Sequence, residues 1–234
     1  VLTNDVDNIN NILPIIKNEG ISATFFIDPA TAENNRELVR KISSYGEIAA
    51  LVDIGYLASI NDKFNKLNSY AEQSKKLNAA KETLEKISSS SVSGFLPYYG
   101  LFDQNTLNSV INSNYKYVLT DSLTDRSVPK TIIRGDKRIV TMTKTARDDY
   151  EIIRDFGLTL PEFQFYTYQE DLDRVLFEGG IYILKLHTEY QCRSDYANVL
   201  KDVIKDLKKK KFWIATANEI QKKNKKRDYK CQSQ

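Results

Sequence analysis

Gly180-Ile181-Tyr182-Ile183-Leu184-Lys185-Leu186-His187 is a β-branched and aromatic run that opens on glycine and ends on the only histidine of the 234-residue chain. Such a run reads as a buried strand delivering one side chain to the edge of a sheet. The pattern around it is helical. A helix is expected near Tyr168 to Phe177 before it, and another from a Ser194 cap to Leu207 after it. A strand at Phe212 to Ala215 and a closing helix over Asn218 to Lys223 follow. One βα step after another argues for a parallel sheet flanked by helices.

The same rhythm holds toward the N-terminus. Val1 to Asp5 reads as a strand, and Ile9, Ile12, Leu13 and Ile16 follow at helical spacing until Gly20. Strands are expected at Ser22 to Ile27, Glu47 to Val52 and Tyr115 to Leu119, the last ending at Asp121, and Gly94 to Pro97 is a short apolar segment. Helices are expected over Asn34 to Tyr45, along the apolar face of Leu67, Tyr70, Ala71, Leu77, Ala80, Leu84 and Ile87, and from an Asp103 cap to Ile111. Thr131 to Arg134 and Arg138 to Thr143 form a hairpin about Gly135-Asp136. The serine run Ser88 to Ser91 is a loop, because the βα alternation resumes at once.

Composition bounds the function. A chain of 234 residues that is 41% hydrophobic can bury one large core, so residues 1–234 are read as a single α/β domain. No apolar run reaches about 18 residues, so no membrane span is expected. The sequence opens at Val1 directly before a strand and carries no basic-then-apolar leader; it is read as a piece of a longer protein. Net charge is +3, yet Lys205 to Gln234 holds 11 basic and 3 acidic residues. A solvated outer helix accounts for such a block, and contact with an anionic polymer is the alternative. Nucleic acid is not expected, since no aromatic residues are interleaved with the basic ones on a strand. Cys192 and Cys231 allow either one disulfide or two separate thiols. One histidine and two distant cysteines fall short of the two or more imidazole or thiolate ligands that catalytic zinc usually takes.

Five short motifs then converge. Leu2-Thr3-Asn4-Asp5-Val6-Asp7, Ser22-Ala23-Thr24-Phe25-Phe26, Pro97-Tyr98-Tyr99-Gly100, Leu184-Lys185-Leu186-His187 and Trp213-Ile214-Ala215-Thr216-Ala217-Asn218-Glu219-Ile220 stand in the order and spacing of polysaccharide deacetylases. The chain resembles that family, carbohydrate esterase family 4 or the NodB homology domain, from end to end. The resemblance implies a distorted (β/α) barrel of about seven strands with a groove across the C-terminal strand ends. It also implies removal of acetyl groups from N-acetyl sugars by a metal held on one aspartate and two histidines, with a second aspartate as base.

On that resemblance Asp5 matches the base, and Asp7 matches the metal aspartate in the Asp-x-Asp variant. Asp7 also suits a helix cap, since it directly precedes the periodic apolar run. His187 matches the general acid, and Tyr98 and Tyr99 suit sugar-stacking platforms or simple rim packing. The departures are specific. Leu51 and Gly55 stand where the two metal histidines belong, and Leu96 stands where an arginine orients the base. Neither leucine nor glycine can coordinate a cation, so no cofactor is expected. A divalent metal would enter only through a rescued carboxylate site of Asp7 and Asp53. The leading reading is a degenerate, non-catalytic member that binds polysaccharide or oligosaccharide weakly or serves structurally. The alternatives are an active metal-dependent deacetylase with an altered metal shell, and an architectural domain contacting other domains of a parent protein. The resemblance implies an extracellular or cell-envelope location.

Overall fold

A computed structural model of the chain describes residues 1–3, 7–56, 66–100, 102–120 and 128–232. The elements follow in order: β1 (Leu2–Thr3), α1 (Ile9–Asn18), β2 (Ala23–Ile27), α2 (Pro29–Asn34), α3 (Arg36–Ser43), β3 (Gly46–Val52), β4 (Gly55–Tyr56), β5 (Lys66–Leu67) and α4 (Tyr70–Ser88). Then come β6 (Gly94–Pro97), α5 (Gln104–Asn112), β7 (Tyr117–Thr120), β8 (Lys130–Arg134), β9 (Lys137–Thr143), α6 (Pro161–Glu178), α7 (Ala197–Lys209) and α8 (Ala217–Gln232).

One seven-stranded sheet carries the order β1-β2-β3-β6-β7-β9-β8. Every neighbouring pair is parallel except the β8–β9 hairpin, whose turn is closed by Gly135 at φ +60°. The C-terminal ends of β1, β2, β3, β6, β7 and β9 therefore share one edge.

Strand alternation sorts the core into two sides. Phe25, Ile27, Ile48, Ala50, Val52, Phe95 and Val118 pack outward against the helices, with Ile12, Ile16, Leu77, Ala80, Leu84 and Val110 among their partners. Phe26, Ala49, Leu51, Leu96, Tyr117, Leu119, Val140 and Met142 face inward, where Ile181, Ile183, Ala217 and Ile220 cover them. The apolar stripe expected along α4 holds from Leu77 onward, where Leu77, Ala80, Leu84 and Ile87 are buried. Leu67 lies in β5 before the helix and Tyr70 and Ala71 are exposed, while Ser69 with Glu72 closes a capping box at the helix start. Asp103 caps α5 with Thr106 in the same manner.

Three expectations are corrected. The segments 180–186 and 212–216 are extended but join no ladder. Gly179 and Gly180, at φ +82° and +113°, swing the chain off α6, and Ile183 N–H donates to the Thr145 side chain, 2.7 Å away. The later segment runs into α8, whose first N–H groups are held by the Thr24 hydroxyl and the Glu47 carboxylate at the inner start of β2 and β3. Ser194 does not cap α7, because turns closing at Tyr190, Arg193 and Tyr196 occupy that stretch and the helix starts at Ala197. In α1 the cap position is Asn8, not Asp7, since the first turn closes from Asn11 N–H to Asn8 C=O.

Candidate functional site

Period-two alternation continues through the unpaired segment. Ile181 and Ile183 point onto the inner apolar cluster, while Tyr182 and Leu184 point out toward α6 and α7. The same period carries Lys185 and His187 to the inner side. Lys185 is buried, and its ammonium lies 3.1 Å from Asp148 Oδ2; Lys144, at the end of β9, is also 3.1 Å from that oxygen. Burial acts to raise the Asp148 carboxyl, but Lys185, the Glu151 N–H, Lys144 and His187 outweigh it and hold the group below its usual value.

Asp149 is the fully buried anchor of the rim. Its Oδ1 accepts from His187 Nδ1 at 2.6 Å and from Tyr150 N–H at 3.0 Å. Its Oδ2 accepts from His187 N–H at 2.7 Å and Gln191 N–H at 3.0 Å. A carboxylate in this position requires the imidazole proton on Nδ1, which leaves Nε2 as the nitrogen available to a ligand. Tyr150 and Tyr190 flank the ring at 5.9 and 6.1 Å between centroids, and the Arg154 guanidinium covers Tyr150 at 4.7 Å. A short π-helical turn over Tyr150–Asp155 follows Asp149 directly, a distortion that often accompanies functional sites.

The other candidates lie elsewhere on this rim or outside the description. Tyr98 is half-buried in a 3₁₀ turn after β6 and shares a shallow hollow with Leu51, Val52, Asp53, Asp28 and Lys76. Asp53 turns back to accept from Gly55 N–H at 3.0 Å, and Asp7 is exposed before α1. Asp5, Asp121 and the side chains of Tyr99 and Cys231 fall outside the described residues. Cys192 is buried beside His187's turn, where the Asn11 amide donates to its carbonyl at 3.0 Å.

Leu51 is 2% exposed within the inner apolar cluster, Leu96 is equally buried beside it, and Gly55 offers no side chain. Asp148, Asp149 and His187 do bring three ligand-type atoms within 4.8 Å of one another. Both Asp149 oxygens accept from N–H donors, and two ammoniums stand 3.1 Å from Asp148 Oδ2. Sequence reasoning missed Asp149 and Asp148; the available signal was the acidic pair Asp148-Asp149 just beyond a strand end.

The model for the family described as polysaccharide deacetylase matches residues 3–118. Over that stretch the chain is similar to the polysaccharide deacetylase family. A candidate polysaccharide deacetylase from Mycobacterium smegmatis superposes with a TM-score of 0.77 at 22% identity, covering 94% of this chain and 78% of the other. Another candidate, from Pseudomonas aeruginosa PAO1, gives 0.76 at 18% identity over 92% of this chain and 71% of its own. A CE4 family pseudoenzyme from Bacillus anthracis gives 0.63 at 16% identity over 94% and 63%. These identities establish the polysaccharide deacetylase fold, and chemistry must be argued from the residues. No curated protein matches the chain.

Proposed function

We propose that this polysaccharide deacetylase-like domain has given up metal-centred hydrolysis and binds N-acetylated glycan weakly along its C-terminal rim. Leu51 carries the reading. Where the family resemblance calls for an imidazole there is a leucine packed among Phe26, Ala49, Leu96, Tyr117 and Met142, and Gly55 supplies nothing at the second position. The donors present do not fit a zinc-type ion. Asp53 is engaged by its own turn, and the Asp148–Asp149–His187 group already has its positive partners.

The polar half of the rim persists. Asp149 orients His187 so that Nε2 can hydrogen-bond a sugar hydroxyl or acetamide, and Tyr150, Tyr190 and Tyr98 offer ring faces to a pyranose. With stacking and hydrogen bonds alone, affinity should be millimolar, about −4 kcal/mol. An extracellular or envelope setting, where such glycans occur, is part of the same proposal. The Bacillus anthracis pseudoenzyme of this fold, for which a mutant with restored enzymatic activity is described, supports the idea that the scaffold can outlast its activity.

The single histidine makes the test clean. Chitin- or peptidoglycan-derived oligosaccharides titrated against the protein should move the one pair of imidazole C–H resonances, and Tyr150→Ala should weaken the effect. Imidazole signals unmoved at tens of millimolar sugar would refute glycan binding at this rim.

A further inference from the structure

The pole opposite His187 has its own pattern. Helices α6 and α7 run parallel: Gln169 reaches Asp206, and one turn on Asp173 reaches Lys210. α7 ends at Lys209, and Lys211 at φ +61° turns the chain back into the extended segment 212–216. Both helices lead into the extended segments, so their C-terminal ends lie at the pole where those segments begin, ~20 Å from His187 at about 3.3 Å per extended residue.

Three apolar side chains stand in solvent there: Phe177 is 93% exposed, Leu176 53% and Trp213 54%. Trp213 borders a cavity of about 450 Å³ whose walls include Gly180, Tyr182, Phe212, Ile220 and Lys223. The Lys223 ammonium sits 4.1 Å from the indole centroid. Lys209 and Lys211, just before Phe212-Trp213, and Lys222, next to Lys223, are also exposed. Most acids at this pole are spent: Asp173 and Asp206 pair with Lys210, Glu19 pairs with Lys208, and Glu219 folds onto Thr216. Glu178 is exposed as the exception.

We propose that this pole docks peripherally on an anionic bilayer surface. Lysines at helix C-termini are favourable without any partner, so charge alone decides nothing. The exposed rings do. A phenylalanine and a tryptophan exposed at the same pole, with lysines among their chain neighbours, gain nothing from water or from a hydrated polyanion, but suit the boundary between headgroups and acyl chains. Among the described residues no helix is long and apolar enough to cross a membrane, so the contact is at the surface. Docked this way, the His187 rim faces away from the bilayer.

Trp213 is the sole tryptophan and reports directly. With vesicles of phosphatidylcholine containing about one-third phosphatidylglycerol, its emission should shift to the blue and be quenched by brominated acyl chains. Pure phosphatidylcholine vesicles should give neither change. Lys209→Gln and Lys222→Gln should each weaken binding about fivefold. Phe177→Ser with Leu176→Ser should abolish the shift while the far-ultraviolet dichroism and melting temperature stay unchanged. Unchanged emission on anionic vesicles, equal binding to neutral ones, or the same shift with dextran sulfate in place of lipid would each overturn the proposal.

Discussion

At the scale of single residues, Asp149 and Glu47 show two fates of a buried carboxylate. Asp149 accepts four hydrogen bonds, three of them from backbone N–H groups, so Asp149→Ala strands those donors without solvent. We expect a loss of about 3 kcal/mol in urea unfolding, and less for Asp149→Asn, which keeps one acceptor oxygen. Glu47 is the reverse case. Burial pushes its carboxyl above the usual value despite hydrogen bonds from Asn218 N–H and Thr24. A carboxyl whose folded pKa exceeds its unfolded one stabilises fully below the unfolded value, and that contribution fades as pH rises through the folded value. Glu47→Gln should therefore flatten the melting temperature against pH just above the ordinary glutamate range, and should melt no lower than the parent at pH 7. A mutant whose profile keeps the parent's slope would show that another group sets it. Neither role was legible in the sequence, because Asp149 meets His187 across 38 residues and Glu47 meets Asn218 across 171.

Among the elements, legibility follows the range of the forces that make them. Local signals were legible: the Leu77–Ile87 part of the α4 stripe, the Asp103 cap and the hairpin at Gly135 each depend on neighbours within a few residues. The runs ending at His187 and at Ala215 were read as strands because their composition is strand-like, but pairing needs a partner edge. Among the described residues the first takes only a single bridge at His187 and the second forms no ladder. Tertiary fit also limits small positions. Gly94 on β6 pairs with Tyr117 on β7, and a Cβ built on it would stand 2.0 Å from the fully buried Tyr117 ring. Gly94→Ala should thus cost about 3 kcal/mol or more by overpacking, seen as a lower urea midpoint with an unchanged m-value. A midpoint equal to the parent's would mean that the ring can move aside.

For the whole molecule, the parallel sheet brings the C-terminal ends of β3, β6 and β9 to one edge, and the unpaired segment that ends at His187 meets Asp149 just after β9. The shared edge was legible from motif order. The same edge carries the hydrogen-bonded pair of Asp149 and His187, and the proposed reading has Leu51 and Gly55 standing where metal ligands would. On this account the pair has no activated nucleophile to serve. The most direct test is acetate release from N-acetylchitohexaose by the purified protein with added zinc or cobalt, run against a chelated control. The account predicts no release above that control. Metal-dependent release that the chelator abolishes, and that His187→Ala removes, would contradict it.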